Sequence, residues 1–306
     1  MGDDIVARRA RPRQEGPNAR RESPTIHAVP SPPAPPSRQR SRGQIDLHVG
    51  PATANGPTRL KDLAESGPSR LRFPREAGTM EGILVNNAGG IACGDAFSVS
   101  ARLDPGAALV LTTVAAEKVY RSDGPVSHVH NRLDLGAGAR LAWLPQETIL
   151  FDRARLRRNF EADLAGDAGL LIAEIVAFGR VARGETLQEA LFEDVWRVRR
   201  GGRLVYADTV RLEGRVSDLL ARSAIGGGAR AMGTILDVSP GAEGRIEEAR
   251  ACLEAANPGV TEAAASAWNG HLALRFLGPE VGALRGLAAR FLTAYRGVPM
   301  PRVWQT

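Results

Sequence analysis

SVSARLDPGAAL (98–109), VHNRLDLGAGARL (129–141) and NFEADLAGDAGL (159–170) read alike. Each begins as a short alternation of apolar and polar residues, continues through a leucine-led turn containing glycine, and resumes as a second apolar run. That is the pattern of strand, turn and strand. The anchoring leucines, Leu103, Leu133 and Leu164, are 30 and 31 residues apart. A unit of this size cannot bury its own apolar face, so similar units must stack and share a core. The expectation is a mainly β fold, a β-solenoid or β-helix-like body of stacked ~30-residue units. A looser fourth copy is read through Val205–Leu212. A β-sandwich of similar hairpins carries the same signals and is the alternative reading.

Outward from this core the texture changes twice. Residues 1–42 are rich in Pro, Ser and Arg, and PSPPAPP (30–36) supports neither helix nor central strand, so a disordered basic tail is expected there. Residues 43–306 are then a single domain. The tail holds nine Arg and four acids, a net +5 of the chain's +6, which leaves +1 for the rest. A basic face for nucleic acid is therefore not expected on the domain. Two cysteines, Cys93 and Cys252, are too few for a disulfide framework and favour a reduced, cytoplasmic setting. No secretory signal is read: the Arg8-Arg9 pair lacks the apolar segment that export would need. The apolar run Leu170–Phe178 is broken by Glu174 and falls well short of the ~18 residues of a membrane helix.

In the C-terminal third, Ile246, Ala249, Leu253 and Ala256 recur at helical spacing over 244–256, with Arg250 and Glu254 placed to pair and Asn257-Pro258 as a stop. A hairpin over 261–276 turns at Trp268-Asn269-Gly270-His271. A second helix starts at Pro279, presents Val281, Leu284, Ala288, Phe291 and Tyr295, and ends before Gly297.

Enzyme motifs fail on their own requirements. LVNNAGG (84–90) mimics a segment of NAD(P)-dependent short-chain oxidoreductases, but no glycine-rich strand-to-helix turn precedes it. The Tyr-x-x-x-Lys pair of such enzymes is also missing: Tyr120, Tyr206 and Tyr295 are followed four residues on by Gly124, Val210 and Pro299. There is no phosphate-binding Gly-x-x-x-x-Gly-Lys loop and no nucleophile elbow. His128 and His130, two apart, would share one face of a strand; without a third ligand a solvated or hydrogen-bonded strand face explains them better than a metal pair does.

Five segments resemble one known family in order. NAGGIACGD (87–95) carries Gly89, Gly90, Gly94 and Asp95; LTTVAAEKVYRS (111–122) carries Lys118, Tyr120 and Arg121. WLPQETILFD (143–152) carries Gln146 and Glu147, FGR (178–180) with Gly184-Glu185 carries Arg180, and PRVW (301–304) carries Pro301, Arg302 and Trp304. Together they resemble the urease accessory protein UreD (UreH) family over residues 45–306. The resemblance implies a β-helical protein with two helices, not an enzyme. It also implies a scaffold that binds apo-urease and UreF, which recruits the GTPase UreG, and that helps conduct nickel to the urease active site. Cys93 departs from the family pattern, where glycine is usual.

No tightly bound cofactor is implied, only transient nickel. Nickel accepts N, O and S ligands, and isolated carboxylates with waters release it more readily than a closed cage does. Asp95, Glu147 and Glu185 are the candidates on that reasoning, against plain structural roles as a turn residue or a rim ion pair. Lys118, one of two lysines, is a candidate partner for a buried carboxylate. A β-solenoid protein-binding module with no nickel role remains a rival reading.

Overall fold

The structure is a computed structural model that describes residues 40–53, 56–74, 78–259 and 261–305. The tail expected over 1–42 lies outside the described residues up to residue 39.

Alternating residues drive the chain into coils. Ala96–Leu103, Ala108–Thr113 and Glu117–Val119 form a first coil, Ser127–Leu135, Arg140–Leu144 and Thr148–Leu150 a second, and Arg155–Leu164 with Gly169–Phe178 a third. Each strand lies parallel to its counterpart one coil on. Parallel pairing between residues ~30 apart is what a solenoid makes and a hairpin sandwich does not. Arg42–Pro51 and Ala190–Arg200 extend the first side of the coils in parallel, and Met80–Asn86 extends the second. The two long sides are thus a seven-stranded and a ten-stranded sheet sharing one core.

The repeat has a register that its leucines disguise. Leu103 lies opposite Leu135, and Leu135 opposite Leu164. Leu133 instead faces Ala101 and Ala162. The turn sets this register. In LDPGA (103–107), LGAGA (135–139) and LAGDA (164–168), the last alanine is fully buried and its amide donates to the carbonyl three residues back. Gly106 and Gly138 take positive φ at the fourth position of the first two turns. Aligning on the Leu-Asp of 133–134 therefore shifts the second copy by two residues.

The fourth rung also differs from expectation. It is Ala190–Arg200; Val205–Leu212 belongs to Arg203–Gly214, which turns back antiparallel after Gly201 and Gly202 and closes that end of the sheet. Thr58–Ser66 closes the other end in the same way. The second sheet continues through antiparallel Ala231–Asp237, His271–Gly278 and Glu262–Trp268. The hairpin turns at Asn269 and Gly270, both at positive φ, as expected. Helices Ile246–Ala256 and Val281–Arg296 pack over this sheet, burying Leu253, Leu284 and Phe291 against Ile235 and Leu274. Gly297, in the left-handed conformation, ends the second helix. Arg250 pairs with Glu247 at 2.7 Å rather than with Glu254. A short helix, Val216–Leu220, carried no readable sequence signal.

Gly169–Phe178 is buried along its whole length, with the coil interior on one face and helices on the other. That position explains its apolar character on both faces and makes Glu174, the one charge in it, conspicuous.

Candidate functional site: a cavity between the sheets

Toward the corner where the short third strands begin, the shared core opens into a cavity of about 240 Å³. Its walls are largely apolar, with Asn86, Glu117, Asn131, Thr148, Arg158 and Glu174 among the polar residues. Their placement follows from strand phase. In Arg155–Leu164 the inward positions are Leu156, Arg158, Phe160, Ala162 and Leu164, so Arg158 is the one charge aimed into the core. Asp194 stands in the inward phase of the next strand, between Phe192 and Trp196, directly opposite Arg158. Glu174 reaches the same point from the other sheet.

These three make a buried network. Arg158 donates from Nε and Nη2 to Asp194 at 2.9 and 2.6 Å, and from Nη1 to Glu174 Oε2 at 2.7 Å. Trp143 Nε1 donates to Glu174 Oε1 at 2.9 Å. Burial opposes the Arg158 charge, but Asp194 and Glu174 outweigh it and hold its pKa above the ordinary arginine value. Burial likewise raises the Glu174 carboxyl, with Arg158 opposing. A second, much smaller void of about 10 Å³ shares Arg158 and Glu174 in its wall and continues to Asp208 and Thr234. Arg275 bonds both Asp208 and Thr234 there, with Asp208 and Arg275 half-exposed. On the cavity's wide side, Asn86 Nδ2 donates to the Glu117 oxygens at 3.2 and 3.4 Å. Burial pushes the Glu117 carboxyl up to about 7, against the lowering effects of Asn86 and Lys118.

None of the carboxylates singled out by sequence lines this cavity. Asp95 is buried at a turn and accepts the amides of Ser41 (2.7 Å) and Ala92 (2.8 Å). Glu185 accepts two hydrogen bonds from the Arg180 side chain at 2.8 Å, which lower its pKa to about 2. Glu147 lies 3.6 Å from Arg285. Lys118 is exposed beside the cavity mouth and, among the described residues, makes no ion pair.

The motif residues gather in two structural groups. At one corner of the coils, Tyr120 donates to the Gly89 carbonyl at 3.0 Å, meets Phe151 edge-on, and Arg180 stacks over Phe151 at 4.2 Å. At the other, Gln146 Nε2 donates to the Val303 carbonyl at 2.9 Å, and Trp304 Nε1 to the Leu144 carbonyl at 3.0 Å. Arg285 ties both through Gln146 Oε1 (3.2 Å) and the Trp304 carbonyl (3.1 Å). Pro301 is buried beneath this strap; Arg302 and Arg121 are exposed. Gly94, at positive φ, fits against Arg40. His128 is exposed on the outer strand face, as is His130, which stands 4.0 Å from Glu161. Among the described residues, no group of three or more His, Cys, Asp or Glu could hold a metal ion. Cys93 Sγ donates to Asp123 at 3.0 Å and accepts from Ser122.

The fold and the site together define a parallel β-solenoid with ionisable groups on the wall of an open interior cavity. The chain belongs to the UreD urease accessory protein family, whose model matches residues 41–305. It is 70% identical over 274 residues to urease accessory protein UreD 1 of Methylobacterium radiotolerans, covering 89% of this chain and 95% of that one. It is 56% identical to the UreD of Methylobacterium sp. strain 4-46 (89% and 97% covered). Identity to the UreD of Xanthobacter autotrophicus is 53% (88% and 91% covered). The relatives carry the name of accessory proteins, and the family places this chain in urease maturation. No described helix is long and apolar enough to cross a membrane.

Proposed function

We propose that this chain is a non-enzymatic cytoplasmic scaffold that binds apo-urease, UreF and UreG and conducts nickel through its interior to the urease active site. The observation that carries this reading is the cavity: Glu117 and Glu174 stand on the wall of a largely apolar cavity between the two sheets. Keeping ionisable groups there is costly, so a purpose beyond folding supports it. Nickel is cargo here. Carboxylates standing apart on the cavity wall, Glu117 held by Asn86 and Glu174 by Arg158 and Trp143, offer it successive oxygen ligands rather than a closed cage.

The test is a pull-down with UreF, UreG and apo-urease, scored for complex yield and for nickel per urease site. Glu117→Gln is expected to lower nickel per site while the complex still forms; normal loading in that variant would remove the cavity from the route. Glu185→Ala, whose carboxylate is tied to Arg180, is expected to lower complex yield and nickel in proportion.

A further inference from the structure

The cavity and the smaller void meet at one place, and a positive charge occupies it. Arg158 and Glu174 stand in the walls of both spaces, which measure about 240 and 10 Å³. The smaller void has room for roughly one water. A divalent cation in the cavity can therefore go further only by displacing the guanidinium or passing against it. Like charge opposes the latter strongly in a low-dielectric interior.

We propose that Arg158 is a displaceable counter-ion gating this passage: an arriving divalent cation exchanges with its guanidinium between Glu174 and Asp194, and the returning guanidinium expels the cation onward. This rests on the reading of the cavity as the cation's route. The geometry suits exchange. One guanidinium bridges both carboxylates, with contacts of 2.6 to 2.9 Å, and its single charge offsets only one of their two. Its withdrawal leaves two anionic groups from opposite sheets facing one gap, and a divalent cation balances both charges. The side chain has somewhere to go, because the larger cavity adjoins it and Thr148 Oγ1 stands within 3.4 Å of Nη1. Trp143, bonded to the second Glu174 oxygen, holds that carboxylate in place while the partner changes. The exchange also answers a difficulty of any transfer route, that two buried carboxylates alone would hold the cation and not let it go.

The experiment uses the full chain in its complex with UreF and UreG, loaded with Ni²⁺, desalted and analysed for metal. Arg158→Met is expected to retain nickel, rising toward one ion per chain, and to deliver less to urease. Arg158→Met/Glu174→Gln is expected to lose the retained ion, and Arg158→Lys not to acquire it. An Arg158→Met complex formed in normal yield that keeps no more nickel than the parent overturns the gate. Arg158→Met leaves two buried carboxylates without their partner, so Glu174→Gln supplies an independent reading. It is expected to assemble normally and slow initial nickel loading on the order of tenfold, the scale of one lost supporting contact at a metal site. Unchanged loading in that variant also overturns the gate. Should Glu117→Gln lower loading while both of these results go against the gate, the passage stands and the gate alone falls.

Discussion

Burial pushes the Glu117 carboxyl up to about 7, whereas the unfolded chain ionises it near 4.5. Between those values the folded state binds the extra proton, so stability falls as pH rises from about 4.5 and the loss is complete above about 7. Glu117→Gln cannot ionise. It is expected to match the parent below about pH 4.5 and to exceed it by about 3 kcal/mol at pH 8, given 1.36 kcal/mol per pKa unit. Urea midpoints at the two pH values check this. A variant that gains stability and loses nickel loading is what a residue kept for transfer should give. His271 runs the other way. It is wholly buried, edge-on to Trp268 and Tyr206 at 4.3 and 5.0 Å. Burial lowers its pKa below 6.5, with the Asn269 backbone and Glu243 opposing. The unfolded chain takes up the proton first, so this contribution is complete above about pH 6.5 and is lost on acidification. His271→Phe is expected to flatten the fall of the urea midpoint between about pH 6.5 and 5; an unchanged slope would exclude His271 as its source.

At the scale of elements, the coil corner built from Gly90, Tyr120, Phe151 and Arg180 explains why glycine stands at 90. Its φ is +150°, and a Cβ there would lie 2.5 Å from the Tyr120 ring and 2.7 Å from the Lys118 carbonyl oxygen. The ring could shift, but the carbonyl is fixed by its bond from the Ile91 amide. Gly90→Ala is expected to cost about 2 to 3 kcal/mol, as overpacking with backbone strain does. Tyr120→Phe, which removes only the bond to Gly89, is expected to cost about 1 kcal/mol. Equal urea midpoints for the two variants would refute the steric account. The same corner shows what was readable in sequence. Period, turn glycines and both C-terminal helices were legible because each rests on local spacing. The site was half legible. Glu174 stands out in the sequence as a charge within an apolar run; Arg158 and Asp194 do not, because they occupy inward phases of strands whose outward positions are also charged. Their convergence was not legible, because it depends on a register of 36 residues between Arg158 and Asp194 and on contact across sheets. Asp95 and Glu185 drew attention through neighbouring glycines, and those glycines shape turns whose amides and arginine consume the carboxylates.

At the scale of the whole molecule, the parallel coils begin where Ser41 meets Asp95. The Ser41 amide donates to Asp95 Oδ1 at 2.7 Å, the Ser41 carbonyl accepts from Ala96 at 3.0 Å, and the first strand starts at Arg42. The family match begins at residue 41. The composition of residues 1–39 offers no apolar periodicity with which to join a core. Two truncations that differ by three residues should therefore behave differently. Removing 1–39 is expected to leave the thermal midpoint and urease activation unchanged. Removing 1–42 takes away the Ser41 amide and leaves Asp95, 4% exposed, short of a donor. A buried acceptor so orphaned costs about 1 to 3 kcal/mol, more when it is charged. Asp95→Ala in the full chain should show a loss at least as large, because it removes the acceptor of both the Ser41 and the Ala92 amides. Thermal denaturation of the three variants, run beside nickel analysis of urease matured with each, separates the two roles open to Asp95. Loss of stability with proportionate loss of nickel is the expected result and assigns Asp95 to the fold. A stable Asp95→Ala protein that assembles fully yet leaves urease short of nickel would place Asp95 on the route instead.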